Sequence, residues 1–363
     1  MKKLIKKIEG EAILHIKGEK VVESVEIEFY QFRGIEEYLK GKHYLDALVI
    51  NPRICGICGH SHLIATTTAI ENAFNTQITT KAKLIRTITL NLEIIENHIK
   101  WFYITLFPTQ IKEKKYLFKA LKLSEKISKA IAIIAGQYPH TSYAIVGGIT
   151  SDITYIEISK IKNLIEEILK EIELFQDLEL FFQNLPKDIG KSNNLFLTAK
   201  EIDLSQIYEK KGKKFQYVTY KNRFYEVGPL ARQKENIKQI YDKFRDSIYS
   251  RIYARLFETI KLLEETISIC DKIDLSEDSY IKPDIISNRG YSIIEAPRGI
   301  LIHEIEILNE KIVDYNIIVP TQFNLSSDKQ LYSAAQKAIL GEKLEYIDTI
   351  FKCFDICAVC VGH

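Results

Sequence analysis

Two C-x-x-C pairs at opposite ends of the chain constrain its fold more than any other feature. Cys55 and Cys58 lie near the start of the 363 residues, Cys357 and Cys360 near the end. One such pair is a redox dithiol, half a zinc site or an accident. Two pairs make four thiolates available to one centre, and soft thiolates suit zinc, copper(I), nickel or iron–sulfur groups. From Cys58 to Cys357 the chain runs 299 positions, whereas zinc ribbons space their pairs by roughly 15–20 residues. Spacing alone leaves three readings open: a structural zinc site, a redox or catalytic metal centre, and pairs that never meet. Only Cys270 and Cys353 remain besides these four, too few for a disulfide scaffold in a chain of this length.

Composition removes several function classes. Fifty Lys+Arg against 48 Asp+Glu give a net charge of +2, without the basic excess with which a nucleic-acid binder displaces counterions. At 46% hydrophobic and 27% charged residues the chain can bury a sizeable core as a soluble protein. Apolar runs such as Ala130 to Ala135 fall well short of the roughly 20 residues of a spanning helix. The basic start, MKKLIKKIEG, is interrupted by charge before a secretory apolar region can form. The expectation is a cytoplasmic protein with no membrane span, with association or export through a partner left open.

Period-2 apolar spacing on either side of KGEK predicts an N-terminal β-hairpin in the first 30 residues. A short helix is expected from Gly34 to Lys42, then a Gly-rich loop through PRICGICGHSH. Helical spacing runs from Leu63 to about Phe107, ending before Pro108, and recurs around 115–135, 156–184, 229–272 and 328–345. Pro, Gly and His make Gly136 to Thr150 a loop, and a second strand zone covers Tyr291 to Val319. The fold class is therefore α+β and predominantly helical: an N-terminal hairpin, long central helices and a small C-terminal strand region.

The stretches IEGEA, QFRGIE, NPRICGICGHSH, FYEVGPLAR, IIEAPRGILIHEIEI, IIVPTQFN and FDICAVCVGH occur in that order. Together they resemble the large subunit of [NiFe]-hydrogenases. The paired patterns R-x-C-G-x-C-x-x-x-H and D-x-C-x-x-C-x-x-H are the specific part. Little in 105–135, 152–220 or 235–290 supports the resemblance. It implies a single domain over 1–363, with both ends converging on a buried metal site formed by 1–65 together with 291–363. It also implies that Cys55, Cys58, Cys357 and Cys360 hold nickel. Cys58 and Cys360 would bridge to an iron bearing carbon monoxide and two cyanides, and Cys55 and Cys357 would be terminal on nickel.

Further roles follow from the resemblance. Glu9 matches the glutamate that takes a proton from Cys357; read without the resemblance, it caps or solvates the turn at Gly10. Arg298 matches the arginine that overhangs the open metal position, fixed by Asp355; alone it reads as a surface ion pair. Pro297 and Thr321 match residues around the cyanides, with the Thr321 hydroxyl as donor. Glu36, the Ile317 carbonyl and His363 match ligands of a magnesium ion, completed by water as hard cations prefer. His62 matches a histidine beside the bridging sulfur that does not itself bind metal. His98, His140 and His303 read as packing or supporting residues, and His15, His43 and His60 as solvated or core histidines. Four departures bear on tuning: Ile356 for Pro, Glu11 for His, Phe323 for Trp, and Asn97 where an acid or hydroxyl is common. A chain ending at His363 matches either a form processed after metal insertion or a member lacking the extension.

Partners follow by elimination. An iron–sulfur cluster needs about four cysteines, and two remain, so electrons must leave through another chain. The resemblance supplies an iron–sulfur small subunit, with dihydrogen and protons as substrates and maturation proteins during assembly. The expected activity is reversible heterolytic cleavage of dihydrogen. The alternatives are a hydrogen-sensing subunit with the same site and, from another class, a zinc-stabilised interaction protein.

Overall fold

The computed structural model describes residues 2–7, 10–29, 34–211, 216–327 and 331–357. The N-terminal strands number three rather than two. β1 (Lys2–Lys7), β2 (Gly10–Lys17) and β3 (Ser24–Phe29) form an antiparallel meander in that order. Leu14, Ile16 and Val25 turn inward from β2 and β3, as a half-buried sheet requires. The KGEK segment joins β2 to β3. Lys-rich β1 carries little period-2 signal, and it pairs along β2 from Lys2↔His15 to Lys7↔Gly10.

α1 (Ile35–Leu39) and α2 (Tyr44–Ile50) precede the first cysteine pair, and α3 (Gly59–Ala73) starts immediately after Cys58. The helical run expected from Leu63 to Phe107 is divided. Asn75 takes a left-handed φ of 52°, which ends α3. Thr79 then restarts the chain as α4 (Thr80–Lys100), its hydroxyl accepting the Ala82 N–H at 3.1 Å. α5 (Lys114–Ala135) matches its apolar spacing. The expected helix at 156–184 is two, α6 (Tyr155–Glu171) and α7 (Leu174–Phe181), and that at 229–272 is three: α8 (Pro229–Gln233), α9 (Lys238–Phe244) and α10 (Ile248–Cys270). Arg245, at φ 52°, closes α9, and Ser247 caps α10. Local backbone conformation and capping set the breaks at Asn75, Thr79, Arg245 and Ser247, and apolar spacing does not report either.

Between these helices lie the small pairings β4 (Ala144–Ile145) with β5 (Gly148–Ile149), β6 (Leu195–Phe196) with β9 (Tyr225–Glu226), and β7 (Ile207–Lys211) with β8 (Gln216–Tyr220). The C-terminal strand zone is an antiparallel sheet of β10 (Asn288–Ala296), β11 (Gly299–Leu308) and β12 (Lys311–Ile318). α11 (Pro320–Leu325), α12 (Ala334–Ile339) and α13 (Ile347–Cys353) follow. Within 328–345 the α-helix is confined to α12. Its Ser333/Gln336 capping box starts it, and Gly341, at φ 79°, sits just past its end.

Helices α4, α5, α6 and α10 pack side by side, and α3 lies across β10 and β11. Contact between α3 and β10 is backbone on backbone. A Cβ at Gly290 would meet the Ala69 carbonyl oxygen at 2.1 Å and the Ala73 nitrogen at 2.3 Å. Gly290→Ala must therefore push the helix off the sheet. We expect a loss of about 1–3 kcal/mol, the usual cost of overpacking, read as a lower denaturation midpoint. An unchanged midpoint would contradict the packing described. α3 and α4 are tied by the buried Arg86–Glu71 pair, with contacts of 2.7 and 2.9 Å. Arg86 also donates to the carbonyls of Ile145 and Gly148, and Glu71 accepts the Gly147 N–H. That pair fixes the loop at Gly136–Thr150 against the C-terminal end of α3.

Candidate metal centre

The site forms where α3 begins, where β10 turns into β11, and where the chain runs out of α13. Cys55 and Cys58 sit in the turn before α3, both buried, with Cα atoms 5.4 Å apart and sulfurs joined as a disulfide. Only the reduced pair can donate two thiolates. Cys357 arrives from the other end of the sequence. It shares with Cys58 the wall of a cavity of about 20 Å³, which Ser61, His62, Pro297, Arg298 and Thr321 also line. The Cys357 N–H donates to Thr321 Oγ1 at 3.2 Å, leaving the threonine hydroxyl proton free to turn into the cavity.

Cys360, His363 and Glu9 lie outside the described residues. Among the described residues no three His, Cys, Asp or Glu side chains are placed to hold a metal ion. The donor set nevertheless fits a soft metal: thiols from both extremities reach one enclosed space with a guanidinium at its wall.

Arg298 occupies the turn between β10 and β11, where Ala296 pairs with Gly299. Its backbone is pressed against Gly228, at φ 117°, where a Cβ would lie 2.7 Å from the Arg298 carbonyl oxygen. Hence a glycine is required in FYEVGPLAR. Arg298 Nε donates to the Asp355 carbonyl at 2.7 Å and lies 3.1 Å from its Oδ2. Arg255 donates to the same Oδ2 at 2.9 Å, with its guanidinium 4.2 Å above the Trp101 ring. Asp355 itself is held at φ 48°, a conformation that Asp and Asn tolerate better than most residues. Burial, and then the Arg298 and Arg232 charges, pull Arg255 below the usual arginine range against the pull of Asp355.

A second buried network backs the first. Arg232 donates to Glu258 at 2.6 and 2.7 Å, and His98 Nε2 lies 2.9 Å from Glu258 Oε2. Burial alone would raise the Glu258 carboxyl, but Arg232 and His98 outweigh it and hold it well below the ordinary range. His98 is pushed down to about 4 by its own burial, so it is neutral at pH 7. Arg232 also pairs with Glu295 at 2.8 Å.

His62 Nδ1 lies 3.1 Å from His303 Nε2, and His303 Nδ1 lies 2.7 Å from the Tyr315 hydroxyl. Asn51 donates to that hydroxyl and to Thr66 Oγ1, each at 2.8 Å. This chain orients His62 at the cavity wall. His60 is a core histidine, its ring pushed down to about 4 by burial and the neighbouring His140. His140 Nδ1 lies 3.0 Å from the Pro52 carbonyl. His15 and His43 pair with Glu28 and Glu310 nearer the surface. Glu36 is buried on α1, whose C-terminal end is anchored to β12 by the Lys40–Asp314 ion pair at 3.3 Å and a Gly41 N–H···Ile312 carbonyl bond at 2.7 Å. Ile317, fully buried, lies on that strand opposite His303.

Sequence reasoning missed Arg255, Arg232, Glu258, Glu93 and Tyr315. A signal existed for two of them, Arg255 and Glu258. Arg251, Arg255 and Glu258 recur at helical spacing on the face of α10 that carries Ile248, Ile252, Leu256 and Leu263 into the core. Charges on a buried face must be paired.

Comparison with known proteins places this architecture. The fold superimposes on the [NiFeSe]-hydrogenase of Dm. baculatum with a TM-score of 0.89, at 20% identity and with 100% of both chains covered. Coenzyme F420 hydrogenase subunit alpha of Methanothermobacter thermautotrophicus is 26% identical over 91% of this chain and 85% of its own length. Sulfhydrogenase 2 subunit alpha of Pyrococcus furiosus is 26% identical over 96% of this chain and 95% of its own. These likenesses define the class as a hydrogenase large subunit, an oxidoreductase. The family model for nickel-dependent hydrogenases matches residues 33–106, 109–251 and 210–363, and the chain belongs to that family. It is the catalytic subunit for dihydrogen cleavage at a Ni–Fe centre and works beside a small subunit; the sensor and zinc readings are not favoured. No described helix is long and apolar enough to cross a membrane.

Proposed function

We propose that Cys55, Cys58, Cys357 and Cys360 hold the nickel, with Cys58 and Cys360 bridging to an iron that carries carbon monoxide and two cyanides. The observation that carries this reading is the meeting of Cys58 and Cys357 on one buried cavity beneath Arg298. When bound, the metal pair supplies Lewis acidity that makes dihydrogen acidic enough to split heterolytically. Everything else is the work of the polypeptide. Arg298 places a permanent cation at the cavity wall, held by Asp355, where anionic groups on iron need donors. Thr321 offers its hydroxyl proton to the same wall, and Pro297 closes it against water. Glu9 takes the proton from Cys357.

Glu36, the Ile317 carbonyl and His363 would hold magnesium and clasp the chain's end to its beginning. The anchoring of α1 to β12 supports this assignment. The chain acts as one domain over 1–363 and passes electrons to an iron–sulfur small subunit. We place it in the cytoplasm and expect maturation proteins to load the metals.

Metal analysis and infrared spectroscopy of the assembled enzyme test the reading. Nickel and iron in equal amount, with carbonyl and cyanide stretching bands, are expected; zinc alone, without those bands, would end it. Glu9→Gln should retain both metals yet slow hydrogen–deuterium exchange by about 10²-fold or more, because an amide cannot relay a proton. Full exchange in that variant would refute the role of Glu9.

A further inference from the structure

We propose that a second proton route leaves the cavity through Ser61 and Glu93 and reaches the surface at Lys100 and Ser128 by way of Glu96, with ordered water bridging the buried gap between the two glutamates. The inference rests on the hydrogenase reading, because it needs protons to be released in the cavity. Its first step is continuous. Ser61 lines the cavity beside Cys58 and Cys357, and its hydroxyl donates to Glu93 Oε1 at 2.6 Å. A proton arriving on Ser61 Oγ is matched by the one the hydroxyl hands to Glu93. One O–H bond forms as another breaks, and no electron moves.

Glu93 is fully buried on α4 and also accepts the backbone N–H groups of His60 and Ser61 at 2.7 and 2.8 Å. Burial, reinforced by the Glu96 charge and opposed by the Ser61 and His60 hydrogen bonds, raises its carboxyl to about 7. It can therefore load and unload a proton near neutrality. The ionisable groups around it are His60 from α3, Glu96 from its own helix, and Tyr138 and Tyr143 from the loop after α5.

The exit is equally concrete. Glu96 Oε1 lies 2.8 Å from Lys100 Nζ and 3.1 Å from Ser128 Oγ, and both partners are partly exposed. Tyr138 lies beside both: burial first, and then the charges of Glu96 and Glu93, raise its phenol and keep it protonated. Its ring centroid lies 5.3 Å from that of His60. Both ring nitrogens of His60, Oε2 of Glu96 and Oδ1 of Asn97 are buried without a protein partner. Buried polar atoms are satisfied almost without exception, and the route assigns to these four the water that would join Glu93 to Glu96.

A purely structural role for Glu93, capping the N-terminus of α3, makes different predictions. Glu93→Gln keeps one oxygen to accept the Ser61 N–H and hydroxyl, turns an amide NH2 towards the His60 N–H, and removes the titrating proton. In the assembled enzyme already carrying Glu9→Gln, so that the first route is closed, it should retain its nickel yet slow the residual hydrogen–deuterium exchange at least about tenfold, with partial recovery in Glu93→Asp. Infrared titration supplies a readout independent of turnover. A deuterium-sensitive carboxylic-acid band with a midpoint near pH 7 should appear in the wild type and vanish in Glu93→Gln. Should the glutamine variant not fold, Ser61→Ala should show the same slow exchange while keeping that band. Residual exchange unchanged when Glu93→Gln is added to Glu9→Gln, absence of the band, or nickel lost in step with activity would each overturn the route. A wild-type enzyme without nickel would overturn the route together with the hydrogenase reading; nickel present with any of the former results overturns the route alone.

Discussion

Cys357→Ala is expected to abolish dihydrogen oxidation and strip nickel from the protein while leaving the fold in place. Cys357 is buried beside the cavity, and its backbone N–H donates to Thr321 Oγ1. Alanine preserves that bond. What disappears is one sulfur, and with it one of the four thiolates proposed to hold nickel and the group from which Glu9 would take a proton. Losing a small buried side chain costs roughly 1–2 kcal/mol, too little to unfold a typical domain. Thermal unfolding, nickel content and dye reduction on one preparation separate the effects. A variant that melts near the wild type but carries no nickel and no activity is predicted. Retained nickel with wild-type turnover would remove Cys357 from the metal centre.

Asp355→Asn should produce the largest loss of stability. The Asp355 carboxylate lies between two buried guanidiniums, Arg255 at 2.9 Å and Arg298 at 3.1 Å. Asparagine fits the left-handed backbone at this position, so the substitution isolates the charge from the conformation. Two cations would then face each other in the interior with no anion between them. Removing one partner of a buried ion pair costs about 3–5 kcal/mol, and denaturant unfolding should register a loss of that size. Arg298 would keep its bond to the Asp355 carbonyl, at 2.7 Å, but lose its side-chain anchor. Turnover should fall by roughly 10–10² as the guanidinium wanders from the cavity wall. A loss below about 1 kcal/mol would mean that the pair is screened by water and that Arg298 is positioned by other contacts.

How far the sequence reached depended on the kind of interaction. Cys58, Cys357, Arg298, Asp355, Pro297 and Thr321 were legible because they stand in short, ordered motifs, whereas Cys360 lies outside the described residues; the C-terminal strands were legible because Tyr291 to Val319 alternates strongly. Helix breaks at Asn75 and Arg245 were hidden, since a left-handed residue is a matter of local backbone conformation that apolar spacing does not report. β1 was hidden because strand pairing can recruit a lysine-rich segment on the strength of backbone hydrogen bonds. The supporting charges were hidden for a different reason. Arg255 and Glu258 read as ordinary polar positions in a helix until the fold turns that face inward, and their partners Asp355 and Arg232 come from 100 and 26 residues away. Glu93 likewise has no motif, and its meaning comes from burial and from the helix end it faces.

Nickel-edge X-ray absorption on the assembled enzyme tests the central claim most directly, because it reads the atoms around the metal. The account predicts a nickel surrounded by sulfur, with an iron neighbour, and a weakened sulfur signal in Cys55→Ser. Nickel bound through nitrogen and oxygen alone, or a spectrum unchanged by substituting Cys55, would contradict it.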